Sequence, residues 1–456
     1  LRAWERLVEG YLHEIALLYE AQGFLPPDLP TVIDDGQTKL AVYLYDFMEG
    51  DYSSHSEVKS AAMGFAKNGC NRASGPRQPW MAIDKSDFLF DKADVSVNEP
   101  GVPIVSVMEG WKLYSTLAHE LFHILQIVYD RRYGSLDFCD RGNESHFVIE
   151  GGATGAARFA VSRKFGERIE RETRDRKYLG WFGYNTPFPQ TNKGFSYFTS
   201  SFWFHLAERY GNLGTLAFLM RRPYDGNTAE ARVRWLQEGL SAHPAIDRDG
   251  LYFVLPHFLA EGASYGGDRY SAIDTKRWMD VFISPCPSEK MSSEQVAEVT
   301  LETGVAALSG ACVHLSWAGL PEDSRLEVEV AGPSEGKLDQ LHLGYSHRSY
   351  QTGGELTGYR LKTQGCWMWQ KRLPAESRRE KTCVIGKPFI KRGLREGKPV
   401  KTWMLERERW GGDGELTLVL TNVPLKPGQE KFDDKWLHDV TIRAGFASTR
   451  SPDQEL

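Results

Sequence analysis

The sequence predicts an α+β protein in two parts, a mixed domain over residues 1–287 and an all-β sandwich over residues 288–456. A chain of 456 residues is too long for a single core. Up to Pro287 the apolar residues recur mostly at helical spacing, with a few short β-rich runs between the helices. After Pro285-Cys-Pro287 the texture changes to short alternating or β-branched runs set between Gly/Pro turns.

Taken in order, residues 1–22 predict a helix, with Trp4, Leu7, Val8, Tyr11, Leu12, Ile15, Leu18 and Tyr19 at helical spacing. Gly23 and the prolines at 26, 27 and 30 end it. Leu40–Tyr45 is apolar on both faces and predicts an interior strand. Two more short strands are expected at Trp80–Asp84 and Val102–Val107. A helix from about Trp111 to Asp130 follows, its apolar stripe formed by Leu117, Leu121, Ile124, Leu125 and Val128.

The next helix starts near Asn143 or Ser145, either of which can cap it, and runs through Phe159. Gly151, Gly152 and Gly155 inside it cost about 1 kcal/mol each relative to alanine. That cost points to a close backbone approach, here expected against the preceding helix. Beyond a Gly/Pro/Asn-rich loop at 180–193, helices are expected at about 195–210, 213–221, 228–241 and 251–261. Strands are expected around 299–301, 312–317, 326–330, 416–421 and 438–443.

Composition excludes several classes. A 41% apolar, 12% aromatic chain with mixed charges is an ordinary globular protein. A net charge of −6 gives no reason to expect nucleic acid as a partner, and no apolar run is long enough to span a membrane. The six cysteines lack the C-x-x-C spacing of a metal or redox motif. An even count of that kind suits disulfides in an exported, secreted or periplasmic protein. Neighbourhood in sequence suggests the pairs Cys70–Cys139, Cys286–Cys312 and Cys366–Cys383.

Within the helix at 111–130, His119-Glu120-Leu-Phe-His123 forms an H-E-x-x-H pattern. Residues four apart share a helix face, so both imidazoles can reach one metal while Glu120 lies beside it. On a helical wheel the two histidines fall opposite the apolar stripe, with Thr116 and Gln126. A hydrolytic zinc site takes three protein ligands and keeps one position for water. Gln126 and the residues after it do not supply a nearby third histidine. Glu150, at the start of the next helix, is the best third ligand.

The context of Glu150, Ile149-Glu-Gly-Gly-Ala153, resembles the E-G-x-A signature of the gluzincin metallopeptidases of the zincin superfamily. The resemblance covers residues 111–160, with a weaker echo at 194–211, and does not extend to the β domain. It implies a zincin-like catalytic domain over 1–287 and a Zn2+ ion held by His119, His123 and Glu150. It also implies Glu120 as general base and Tyr197 as the second oxyanion donor, with His146 and His205 as rivals for that last role. Thr154, one turn past Glu150, is placed to hold a histidine ligand. The implied activity is hydrolysis of a protein or peptide substrate, with glycoproteins and cell-wall peptides as the specialised alternatives. A binding or adhesion protein with a residual zinc site is the alternative.

Two further patterns carry less. Gly262-Ala-Ser264-Tyr-Gly266 matches G-x-S-x-G, but the run before it looks helical, where a nucleophile elbow needs a strand. Residues 371–401 hold 11 Lys/Arg against 3 Asp/Glu, which reads as a solvated hairpin or a surface for an anionic polymer.

Overall fold

The computed structural model describes residues 2–25, 40–45, 64–67, 80–84, 107–133, 146–165, 199–223, 229–246, 250–256, 258–259, 287–292, 296–301, 304–305, 307–317, 324–349, 358–363, 366–371, 389–405, 414–423 and 437–448. Helices combine with mixed sheets, so the chain is α+β. The described residues form two compact units that divide between Ala245 and Ile246.

In the first unit, helix α1 (Arg2–Ala21) buries Val8, Ile15 and Tyr19, and it packs on helix α2 (Val107–Tyr133). The Tyr19 hydroxyl donates to the carbonyl of Ala118 at 2.9 Å, and the backbone N–H of Leu25 donates to the Tyr129 hydroxyl at 2.9 Å. Tyr19, Phe24 and Phe122 meet edge to face or tilted, the arrangement aromatic quadrupoles favour. Helix α3 (His146–Phe165) lies against α2 and against α4 (Ser200–Arg209). Helices α5 (Gly214–Met220) and α6 (Ala229–Ala242) complete the helical part.

Strands β1 (Ala41–Tyr45), β2 (Gly64–Lys67) and β3 (Trp80–Asp84) make a sheet in the order β1-β3-β2, parallel between β1 and β3 and antiparallel between β3 and β2. This corrects the expectation for Leu40–Tyr45. Among the described strands β1 is an edge, with Tyr43 44% exposed, and β3 is the interior strand, with Met81, Ala82 and Ile83 buried. A five-residue apolar run does not say on which side it will pair. Val107, expected to close a strand, instead opens α2, while residues 102–106 lie outside the described residues. The caps expected at Asn143 and Ser145, and the G-x-S-x-G residues, also lie outside them.

The second unit begins with a short helical stretch at 251–256 and is otherwise mainly strands. Strands β4 (Ser288–Met291) and β6 (Ser309–Trp317) pair in parallel. One sheet runs β10 (Cys366–Lys371), β9 (Gly358–Thr363), β8 (Leu341–Ser349), β13 (Gly414–Asn422). A five-stranded sheet runs β11 (Phe389–Arg395), β12 (Lys398–Leu405), β7 (Ser324–Ala331), β14 (Val440–Ser448), β5 (Ala297–Leu301). Both sheets feed one apolar core. Val328, Val330, Trp403 and Ile442 enter it from the five-stranded sheet, and Leu341, Leu343, Leu418 and Leu420 from the other. Cys312 in β6 is disulfide-bonded.

Within the basic segment, β11 and β12 form an antiparallel hairpin. Its two-residue turn, Glu396-Gly397, has φ of 52° and 77°, the handedness that matches the twist of the flanking strands. Lys391, Arg392 and Lys398 are exposed there, and Leu394 is 73% exposed. Residues 372–388 lie outside the described residues.

Candidate metal centre

Helix α2 carries His119, Glu120 and His123, and α3 carries Glu150 in its first turns. The apolar stripe of α2 is buried as expected, including Leu117, Leu121, Ile124, Leu125 and Val128. The opposite face is not a solvent face. His123 is 6% exposed, Glu120 4% and Gln126 1%, because α3 covers them. A wheel drawn for one helix cannot anticipate a second helix laid across its polar side.

That covering depends on the α3 glycines, although not as expected. Gly151 and Gly155 face α4 and not α2. A Cβ at Gly155 would stand 2.6 Å from the Trp203 Cβ, and one at Gly151 would collide with the Thr199 hydroxyl. The α4 side chains also bond α3 directly, with the Trp203 indole N–H (2.8 Å) and the Thr199 hydroxyl (3.0 Å) both donating to the carbonyl of Phe147. Gly152 alone of the three turns toward α2, where a Cβ would stand 3.4 Å from Nε2 of Gln126.

The structure brings the three expected ligands together. Nε2 of His123 lies 2.9 Å from Nε2 of His119, and Oε2 of Glu150 lies 3.3 Å from His119 Nε2 and 3.5 Å from His123 Nε2. All three donor atoms fall within 4.8 Å of one another, a group that could hold a metal ion.

Hydrogen bonds on the far side of each ring fix what points inward. The Gln126 amide nitrogen donates to the carbonyls of Val148 (3.3 Å) and Ile149 (3.0 Å). Carbonyls only accept, so this sets which end of the amide is nitrogen and leaves Oε1 facing His123 Nδ1 at 2.7 Å. An amide oxygen also only accepts, so Nδ1 of His123 carries the proton. A neutral His123 therefore aims the lone pair of Nε2 at the Glu150 carboxylate and at the other imidazole. On the second ring, Thr154 Oγ1 lies 3.2 Å from His119 Nδ1, the contact expected one turn past Glu150.

The electrostatics agree with this geometry. Burial works against a charged His123, but the Glu150 carboxylate, with Glu120 behind it, overcomes that and raises the imidazole to about 9. For Glu150, burial pushes the carboxyl up, and the two imidazoles more than reverse this and hold it well below the usual carboxylate range. Positive charge is thus favoured where the three donor atoms converge. A metal ion could take the place of the proton that His123 otherwise holds against Glu150, and the donor set of two imidazoles and a carboxylate fits zinc.

Other expected site residues fare differently. Tyr197 and the side chain of His146 lie outside the described residues. His205 is buried on α4 with its ring 5.8 Å from that of Tyr210. Gln126, noted in the sequence merely for not being a third histidine, emerges as a partner of the ligands. Its position three residues after His123, on the same face, was the available signal.

Comparison with known proteins adds little. No family model matches the chain, and no curated protein matches it. Among solved structures, a family GH115 4-O-methyl-α-glucuronidase with specificity for decorated arabinogalactans aligns at 9% identity and a TM-score of 0.16. The alignment covers 74% of this chain and 42% of that one, and the likeness is too slight to bear on fold or chemistry.

Proposed function

We propose that the protein is a zinc-dependent peptidase of the gluzincin type, with a zincin-like first domain and a C-terminal β-sandwich. The observation that carries this reading is the convergence of His119, His123 and Glu150 from two helices, with Glu120 buried on the same helix turn. The sandwich reading is supported by a core fed from two sheets.

His119, His123 and Glu150 would hold the ion. When bound, it would acidify a water and polarise the carbonyl of the scissile bond. Glu120 is not among the converging ligands, so its carboxylate is available to take a proton from water and deliver it to the leaving amine. Glu120 is itself buried and lies close enough to His123 to act on its charge. Tyr197 is the proposed donor to the developing oxyanion. The site chemistry fits peptide bonds in proteins, glycoproteins or cell-wall peptides, in an extracytoplasmic setting where the disulfide of Cys312 persists.

The test is hydrolysis of casein, mucin and peptidoglycan with and without a zinc chelator, together with Glu120→Gln. We expect cleavage of at least one substrate that is lost on chelation, restored by zinc, and lost in Glu120→Gln with zinc content unchanged. Cleavage by Glu120→Gln at the parental rate would sink the mechanism. A parent that binds zinc but cleaves none of the three would favour a binding protein with a residual site.

A further inference from the structure

We infer that Gln126 is a positioning residue that sets two of the three metal ligands at once. The inference rests on the metal-site reading above. One end of its amide accepts from His123 Nδ1–H at 2.7 Å, which orients that ring and fixes its tautomer. The other end donates to the carbonyls of Val148 and Ile149, at 3.3 and 3.0 Å, and Ile149 is joined by its peptide bond to Glu150. A single side chain therefore ties the α2 ligand His123 to the stretch of α3 that presents Glu150.

Its surroundings are built for this. Gln126 is 1% exposed, so its amide meets little water that would substitute for these partners. Gly152 faces the amide nitrogen, and even a Cβ there would stand 3.4 Å from Nε2, in ordinary contact. Thr154 reaches the single ligand His119 from α3, whereas Gln126 holds a ligand of its own helix and the α3 backbone before Glu150. Replacing it should loosen the angle between His123 and Glu150 without removing any ligand, and partners of metal-bound histidines typically change affinity by roughly 10- to 100-fold.

Two variants separate the roles of the two ends. Gln126→Met keeps the length and neither hydrogen bond. Gln126→Glu can still accept from His123 Nδ1–H but cannot donate to the two carbonyls. In the full chain, zinc affinity is measured by competition with a chromophoric chelator, and ligand geometry by the visible spectrum after loading with Co2+. We expect Gln126→Met to bind zinc roughly 10- to 100-fold more weakly with an altered Co2+ spectrum, and Gln126→Glu to fall between it and the parent. The Co2+ spectrum is the readout that a merely structural role would leave unmoved. Parental affinity and spectrum in Gln126→Met would overturn the inference. If that variant does not fold, the same result in Gln126→Glu overturns it, and weakened binding with a changed spectrum supports it. A parent that binds neither metal overturns the metal-site reading itself, and this inference with it.

Discussion

Two buried polar clusters, one in each unit, are built on opposite logic. In the β unit, Lys401 is 7% exposed, and burial lowers its ammonium to about 8, yet the groups it bonds are electron-rich. It donates to the carbonyls of Leu341 (2.8 Å) and Leu338 (3.4 Å) and lies 4.9 Å from the centre of the Trp403 ring. Donor meets acceptor, and the cluster is complete in itself. In the helical unit, two imidazole nitrogens and a carboxylate oxygen are aimed at one another. Their outer atoms are held by Gln126 and Thr154, so the rings cannot simply turn away. Buried polar groups that complement each other stabilise a fold; acceptors that converge favour a positive charge among them, which a proton on His123 or a metal ion could supply.

The contrast can be broken at its strongest point first. Glu120→Gln is expected to lower hydrolysis by about 10²- to 10⁴-fold while zinc content, measured by elemental analysis, stays at the parental level. Loss of zinc in that variant would make Glu120 part of the ligand set and not the base.

The β unit is expected to respond to pH through His342, first by its burial and then by the charge of Lys401. Packing around His342, and then the positive charge of Lys401, lower its imidazole to about 3. A folded value below the unfolded one, 6.5, means the unfolded state takes up the proton first. The native state therefore has its full advantage above pH 6.5 and loses it as pH falls toward 3. Between pH 8 and pH 5 this amounts to about 2 kcal/mol. Denaturant midpoints of the parent should fall across that window, above the range where most carboxylates protonate. His342→Phe should flatten the slope, and an unchanged slope would show that other groups carry it.

Gly155→Ala probes the close approach of α3 and α4. An alanine gains about 1 kcal/mol in helix propensity but must displace the Cβ of Trp203 and approach the carbonyl of Ser200. A net loss of about 1–2 kcal/mol in thermal unfolding is expected. A stabilised variant would mean that α3 and α4 separate easily.

The smallest effect should be at the hairpin. Leu394→Thr, at an exposed position beside the Glu396-Gly397 turn, is expected to change stability by no more than about 0.5 kcal/mol. A larger loss in chemical unfolding would reveal that the hairpin is covered.

Several elements were legible because their cause is local. The spacing of Leu117, Leu121, Ile124, Leu125 and Val128 requires a buried helical stripe, and α2 has it. The alternation at 326–330 and at 438–443 led to β7 and β14 for the same reason. Strands β8 and β9 are not legible in the sequence, since their runs, such as Leu341-His-Leu-Gly-Tyr345, mix glycine and polar residues that neighbouring strands render acceptable. Of the α3 glycines only Gly152 faces α2 as expected, while Gly151 and Gly155 face α4, because a glycine signals proximity without naming the neighbour.

By itself the sequence determined that two histidines one helical turn apart would share a face, and that a glutamate would start the next helix. It also determined where the chain turns from helices to strands, because periodicity follows from backbone geometry that each segment carries alone. Tertiary structure decided that α3 lies across the polar face of α2 and that Glu150 reaches both imidazoles. It alone decided that Gln126, on a face drawn as solvent, joins His123 to the backbone before Glu150. The contacts from Gln126 to α3 span 22 residues or more and depend on how one helix lies on another, which no local pattern encodes.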